Sequence, residues 1–204
     1  YSKQLNALVE SDTGVSSAGI IAFVQAIHLK HLEKLAPIFE VAGISSSDFK
    51  SDLKLLHRAE IVDLCNDEAA RISDQSFSNF LIKYVFVEEK IIPLSTMIET
   101  CFQINKSRTI DACNILLNVF SDQSVRGYVE TQINIVWDKL EDDHENFLPF
   151  FRAFHMVRPT QTLLLLQEYI AQETYHPFDV RTLQLDEDQQ CQNVSDDILQ
   201  ILSS

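Results

Sequence analysis

A short glycine-containing segment near the start of the chain has the spacing of a phosphate-binding loop. Gly14-Val15-Ser16-Ser17-Ala18-Gly19 places its glycines as such loops do, so that backbone N–H groups could cradle phosphates. A phosphate loop continues with Lys and then Ser or Thr, whereas Ile20 and Ile21 follow here. Because the positive side chain that would reach the phosphates is absent, we interpret the segment as the start of a helix.

Histidines could supply a metal site. His28 and His31 lie three residues apart in a segment predicted to be helical, and His57 falls elsewhere in the same predicted domain. No third ligand has the spacing typical of zinc sites, so we interpret all three as surface histidines and predict no metal and no other cofactor. No serine elbow, paired catalytic carboxylates or cysteine–histidine set stands out, so we predict that this chain is not an enzyme.

A basic stripe is predicted on the third helix. Lys50, Lys54 and Arg58 fall four residues apart and would share one helix face. In a DNA-binding winged helix such a helix enters the major groove, which makes these residues candidates for nucleic-acid contact. Asp48 and Asp52 lie on the same helix and are expected to dilute the stripe. The alternative to nucleic-acid contact is a solvent-exposed helix face with no binding role.

The overall charge argues against nucleic-acid binding. The net charge is −14, with 30 acidic and 16 basic residues, whereas phosphate binding needs clustered Lys and Arg. The hairpin after the stripe carries Asp67 and Glu68, and the acidic runs at 141–143 and 186–188 are predicted to be solvated loops. We therefore predict no appreciable binding to duplex DNA, and an acidic partner domain as the alternative contact for the stripe.

The composition predicts a folded cytoplasmic protein. Apolar residues make up 46% and charged residues 23% of the chain, outside the disordered range. No apolar run reaches the roughly 18 residues of a membrane span, there is no secretory signal, and the start at Tyr1 leads us to expect a fragment of a longer protein. The scattered cysteines, which form no CxxC, are predicted to be mainly buried reduced thiols: Cys65, Cys101, Cys113 and Cys191.

Three helices are predicted before the hairpin. Ser16 or Ser17 would cap the first, over about 18–35, whose apolar residues recur at helical spacing. Pro37 would break that helix and therefore opens a short second one at its first turn. The third helix covers about 48–58.

A β-hairpin follows these helices. Strands are predicted at 60–65 and 69–73, joined by a turn at 66–68 where Asn tolerates the left-handed backbone. An amphipathic helix with Phe77 and Phe80 at helical spacing comes next. Helix, short helix, helix and hairpin is the order of a winged helix, and we predict the two strands to be the only β structure.

Amphipathic helices with short breaks continue to about residue 173, so the predicted fold class is mainly α: a winged helix of three helices and a two-stranded β wing, followed by a helical array. The predicted organisation is an N-terminal remnant or linker at 1–15, a winged-helix domain at 16–74 and a helical domain at 75–173. A loose segment at 174–204 ends in the start of a further helical region, capped by Ser195.

The exit from the hairpin carries a family resemblance. The sequence there is Ile72-Ser73-Asp74-Gln75-Ser76-Phe77-Ser78-Asn79-Phe80-Leu81, and it resembles the wing-exit segment of STAND-type signalling ATPases, including NACHT proteins. In that family an apolar residue is followed by His, then by Ser-Phe, and then by a Phe-Leu pair. The Ser-Phe falls on Ser76-Phe77 and the Phe-Leu on Phe80-Leu81.

The resemblance extends to both sides of the hairpin and covers about residues 16–173. Leu55-Leu56 and Ile61-Val62 look like the helix-to-wing passage of the family. Further on, the segments similar to the helical extension of bacterial STAND proteins are Phe147-Leu148, Phe150-Phe151, Arg158-Pro159-Thr160 and Leu163-Leu164.

The resemblance implies a regulatory role. In the family a P-loop domain binds nucleotide, and the winged helix packs over it in a closed, inactive arrangement. A His at the wing exit often senses the nucleotide phosphates, and Asp74 stands at that position here. Because an acid repels phosphate unless a cation intervenes, we interpret Asp74 as the N-cap of the helix bearing Phe77 and keep nucleotide sensing as its alternative role.

Two hypotheses from different classes follow. The first is a non-catalytic regulatory and scaffold segment of a larger STAND-like ATPase, whose partners are other domains of that protein or separate proteins. The second is a winged-helix transcription regulator with a helical ligand-binding or dimerisation half. Residues upstream of Tyr1 would discriminate them, because the first hypothesis requires a P-loop domain.

Overall fold

The computed structural model describes Leu8 and residues 13–66, 68–140 and 143–172. This part is mainly helical, with a small three-stranded antiparallel sheet. Several predictions lie outside the described residues: the N-terminal remnant apart from its last residues, Asp67, the acids at 141–142 and 186–188, Cys191, and the segment from 174 with the helix capped by Ser195.

The chain divides into two compact units, Tyr1–Lys139 and Leu140–Ser204. The first unit holds the sheet, the hairpin and most of the described helices, so the predicted winged-helix region shares one unit with the helices that follow it as far as residue 139. Within the described residues, the helices are too short or too polar to cross a membrane.

The first helix, α1 (Gly14–Val24), is buried on nearly all sides. The predicted helix at 18–35 is therefore wrong at both ends. Ser16 and Ser17 do not cap it, because both lie inside α1 and are buried. The interpretation of residues 14–19 as the start of a helix is confirmed, since this glycine segment forms the first turns of α1.

A strand and a 3₁₀ helix replace the predicted second half of that helix. Strand β1 (Ile27–His28) pairs antiparallel with the hairpin, and a 3₁₀ segment spans Leu29–Leu35. The prediction that the hairpin is the only β structure is therefore wrong. Ile27, Leu32 and Leu35 are buried in the same core as α1. The apolar residues beyond Val24 therefore still face the core, although the α-helix ends there.

Two further helices precede the hairpin, as predicted. Helix α2 (Ala36–Ala42) has Pro37 at its start, where the missing N–H costs no helical hydrogen bond. Helix α3 (Ser46–Arg58) begins with a capping box, in which the Ser45 side chain accepts from the Asp48 N–H and the Asp48 carboxylate accepts from the Ser45 N–H. The apolar residues that α3 buries are Phe49, Leu53 and Leu56.

The predicted hairpin is confirmed. Strand β2 (Val62–Cys65) pairs with β3 (Ala69–Ile72), with Val62 opposite Ile72. Asn66 takes the left-handed φ of 52° that the turn was expected to need. The sheet order is β1-β3-β2, so the second hairpin strand is central.

A helix with an unusual end leads away from the sheet. Helix α4 (Gln75–Lys83) continues into a π-helical turn at Tyr84–Glu88. This turn packs on α1 at a glycine: a Cβ on Gly19 would lie 2.8 Å and 2.9 Å from the two methyl carbons of Val85. Only glycine therefore lets α1 approach so closely.

Three predicted helices complete the described part of the first unit: α5 (Leu94–Ile104), α6 (Lys106–Asn118) and α7 (Gln123–Leu140), whose last residue falls in the second unit. Pro93 directly precedes α5. Cys101 of α5 and Cys113 of α6 are buried, as predicted.

The second unit contains α8 (His144–Phe154), a 3₁₀ turn at His155–Val157 and α9 (Pro159–Gln172). Phenylalanines of α8 are paired one turn apart, with ring centroids 6.0 Å apart for Phe147 and Phe151. The motif segment Arg158-Pro159-Thr160 spans the start of α9, which begins at Pro159.

Candidate functional site

The three histidines do not form a shared site. His28 lies in β1 and His31 in the 3₁₀ segment, not on one helix as predicted, although their ring centroids are 5.9 Å apart. His57 lies in the last turn of α3, where its Nδ1 lies 2.8 Å from the Val62 carbonyl oxygen. Within the described ranges, no group of three metal-binding side chains comes together.

Asp74, the sequence candidate for nucleotide sensing, caps α4. Its Oδ1 accepts a hydrogen bond of 2.6 Å from the Phe77 N–H, so the N-cap interpretation is confirmed. Phe77, which follows the cap in the resemblance motif, is buried, and its ring stacks on Phe80 at a centroid distance of 5.9 Å. The motif residues thus fix the start and packing of α4.

A cleft of about 350 Å³ opens beside this cap. We call it the hairpin-exit cleft, and its polar lining comes from Gln25, Arg71, Ser73, Gln75, Ser78 and Arg108. These side chains come from the turn after α1, the end of β3, the start of α4 and the start of α6. Arginines therefore do lie near the wing-exit position, although neither was a sequence candidate.

Each arginine of the hairpin-exit cleft has a carboxylate partner outside the cleft lining. Arg71 lies 3.6 Å from Asp63, and Arg108 lies 3.7 Å from Asp111. The cleft can accommodate a small polar group, and the carboxylates paired with its two arginines reduce its attraction for an anion.

Gln25, which lines this cleft, has a strained backbone conformation. Its φ of 66° and ψ of −43°, with a hydrogen bond of 2.9 Å from the Ala26 N–H to the Val24 carbonyl, form a γ-turn. A non-glycine residue in such a conformation costs about 1–3 kcal/mol. The Gln25 side chain accepts a hydrogen bond from Arg108, which ties the turn to α6.

The basic stripe of α3 is present and fully on the surface. Lys50, Lys54 and Arg58 are exposed, and none forms an ion pair with any described residue. The prediction that Asp52 dilutes the stripe is wrong. Asp52 is only 2% exposed and faces α1, where it accepts hydrogen bonds from Ser17 and Thr13.

A second cleft, of about 290 Å³, lies beside the π-helical turn, and its cations are engaged. Lys83 forms a 2.8 Å ion pair with Glu88, and Lys90 lies over the Tyr128 ring at 4.6 Å. An ion pair or a cation–π contact leaves these lysines less available to a ligand.

The described cysteines offer no activated thiol at the buried positions. Burial raises the pKa of the Cys101 thiol to about 12 and raises that of Cys113 further, so both stay protonated at neutral pH. Cys65 is exposed, which corrects the prediction that it is buried. It ends β2 at the turn, where the hairpin leaves the core.

Sequence reasoning missed Gln25, Arg108 and Asp52. Gln25 and Arg108 meet across 83 residues of sequence, and Asp52 lies 35 residues from Ser17, so no local spacing points to either contact. The one local signal was the position of Asp52 among the apolar residues of α3, three after Phe49 and four before Leu56.

Comparisons of this chain with protein-family models, with curated proteins and with solved structures give no match.

Proposed function

We propose that this chain is a non-catalytic regulatory and scaffold segment of a larger, cytoplasmic STAND-like ATPase. The observation that carries the proposal is the order helix, strand, two helices and hairpin, with the sheet ordered β1-β3-β2. This order agrees with a winged helix, and helices continue directly from it as in the extension that the resemblance implies.

The hairpin exit adds local support. The Ser-Phe and Phe-Leu pairs that resemble the family motif lie on α4, where Phe77 and Leu81 are buried against the first unit's core. Residues of this kind hold the hairpin and the following helix in a fixed relation. A rigid connection between them suits a segment that transmits movement between domains.

A scaffold role also agrees with the chemistry at hand. Residues 14–19 form the first turns of α1 and are largely buried, so they do not adopt the loop conformation that wraps a phosphate. Asp74 uses its carboxylate to cap α4, which leaves it poorly placed for phosphate sensing. The proposed activity of the whole protein, ATP binding and hydrolysis, belongs to a domain other than this one.

The decisive test is the coding sequence upstream of the Tyr1 codon. A segment encoding a phosphate loop with Lys and Ser or Thr would support the proposal. An upstream domain of an unrelated class would contradict it.

A binding measurement tests the non-catalytic part of the proposal separately. Calorimetry of this chain with Mg-ATP should detect no micromolar binding, because residues 14–19 are followed by no lysine that could reach the phosphates, and the net charge of −14 repels the nucleotide. Micromolar binding, lost when the nucleotide is replaced by adenosine, would show a phosphate site and overturn this assignment.

A transcription regulator is the second candidate, and the exposed stripe of Lys50, Lys54 and Arg58 is the observation that favours it. A gel shift with duplex DNA tests it. Submicromolar binding that disappears in the Lys50→Glu, Lys54→Glu double variant would reverse the order of the two candidates.

A further inference from the structure

The cations of the described residues fall into two groups. Most form an ion pair or lie over an aromatic ring, as Lys30 does with Glu68 and Lys106 does with Phe102. Arg152 and Arg158 also have partners. The described cations that make neither contact are Lys34 and the stripe of α3: Lys50, Lys54 and Arg58. One helix face thus concentrates unpaired positive charge on an acidic molecule.

The acids of α3 do not neutralise this face. Asp52 points into the core toward Ser17, and the Asp48 carboxylate is held at the helix start, 2.6 Å from the Ser45 hydroxyl. The stripe therefore keeps its full charge toward solvent, which the sequence alone did not reveal.

The geometry of the stripe defines what it fits. Residues four apart on a helix rise about 6 Å per step, so the three cations extend over about 12 Å. Leu55, beside Lys54, is 36% exposed and adds an apolar edge. Carboxylates spaced four residues apart along one face of a partner helix have the same repeat.

We infer that this face of α3 docks an acidic helical segment of a partner protein, with carboxylates at matching four-residue spacing. The inference rests on the proposed scaffold function, since it takes a protein as the occupant. Charge complementarity is its physical basis: three exposed ion pairs give a weak, salt-sensitive and reversible contact. Such a contact suits a switch that must open.

Duplex DNA fits the same face less well. A specific binder commonly neutralises six or more phosphates, and the stripe offers about three contacts. DNA also extends its charge well past the stripe, whereas α3 carries no further lysine or arginine. A short acidic helix presents its charge only where the cations lie.

The probe is an alanine-based helical peptide with three glutamates four residues apart, titrated into the isotopically labelled full chain and followed by NMR. Amide shifts should concentrate on α3. Lys54→Glu should weaken binding by about fivefold, as expected for reversal of one ion pair. The matched control is Lys34→Glu, which makes the same charge change at another exposed, unpaired lysine and should leave the affinity within about twofold.

A charge swap separates pairing from general repulsion. A peptide whose central glutamate is replaced by lysine should bind the Lys54→Glu chain more tightly than it binds the original chain. Equal weakening by Lys34→Glu and Lys54→Glu, or shifts away from α3, would overturn the inference. Duplex DNA that binds more tightly than the peptide and is lost in Lys54→Glu would overturn it in favour of nucleic acid.

The two proposals can fail separately. An upstream phosphate-loop domain combined with no peptide binding would remove the acidic-helix site and leave the scaffold role standing. Specific peptide binding combined with an unrelated upstream domain would remove the ATPase assignment and leave α3 as a protein-docking face.

Discussion

Helices α1 and α3 contact each other, yet they differ in almost every physical respect. In α1 residues 16–23 are all buried, whereas α3 buries one side and exposes a cationic one. Asp52 joins them by accepting hydrogen bonds from α1. The comparison separates positions where a substitution changes the fold from positions where it changes only what the molecule binds.

The largest effect is expected at the closest approach in the interior. Gly19→Ala places a Cβ within 2.9 Å of two Val85 methyl carbons, so α1 must shift from the π-helical turn. We expect a loss of about 2 kcal/mol in the free energy of unfolding, measured by chemical denaturation, even after the helix-propensity gain.

Gly127→Ala is the matched control. Gly127 lies in α7, and a Cβ added there would meet no atom within 4 Å, so the same change should add about 0.5–1 kcal/mol through helix propensity alone. If both alanines raised stability, close packing at Gly19 would not limit the approach of α1.

The next largest effect on stability is expected at Asp52, whose hydrogen bonds form the joint between α1 and α3. Asp52→Ala removes the acceptor for the Ser17 and Thr13 hydroxyls and leaves a small void, so we expect a loss of about 1.5 kcal/mol in the free energy of unfolding. Asp52→Asn retains an acceptor of the same size and should cost less. An alanine variant as stable as the original would mean that the joint contributes nothing to the fold.

Helices α1 and α3 also differ in how well the sequence predicts them. Helix α3 was predictable because its apolar residues alternate with polar ones at helical spacing and a capping box marks its start. Helix α1 has no polar face, so its ends carry no periodic signal. Its true end depends on the γ-turn at Gln25 and on pairing of Ile27 with Ala70, which are tertiary features.

The candidate sites also differ in how well the sequence predicts them. The N-cap at Asp74 acts within three residues and was therefore predictable. The hairpin-exit cleft combines Gln25, Arg71 and Arg108, which only the fold brings together. The stripe of α3 was visible in the sequence, but its undiluted charge was not, because spacing alone does not show that Asp52 turns inward.

A moderate effect is expected at the start of α4, between the interior and the surface. Asp74→Ala leaves the Phe77 N–H without its cap and should cost about 1 kcal/mol in the free energy of unfolding. Asp74→Ser restores an acceptor and should recover most of the loss. A nucleotide-sensing role predicts the opposite pattern: little change in stability and an altered nucleotide response in the larger ATPase proposed above.

The smallest effect on stability is expected on the exposed face of α3. Lys54→Glu breaks no ion pair with a described residue, so the free energy of unfolding should change by less than about 0.5 kcal/mol. The same variant should weaken binding of the acidic helical peptide about fivefold. A large loss of stability would mean that Lys54 contributes to the stability of the fold, and α3 would then differ less from α1. Unchanged stability with reduced binding would show that α3 carries its structural and its binding residues on opposite sides, so each can be altered without the other.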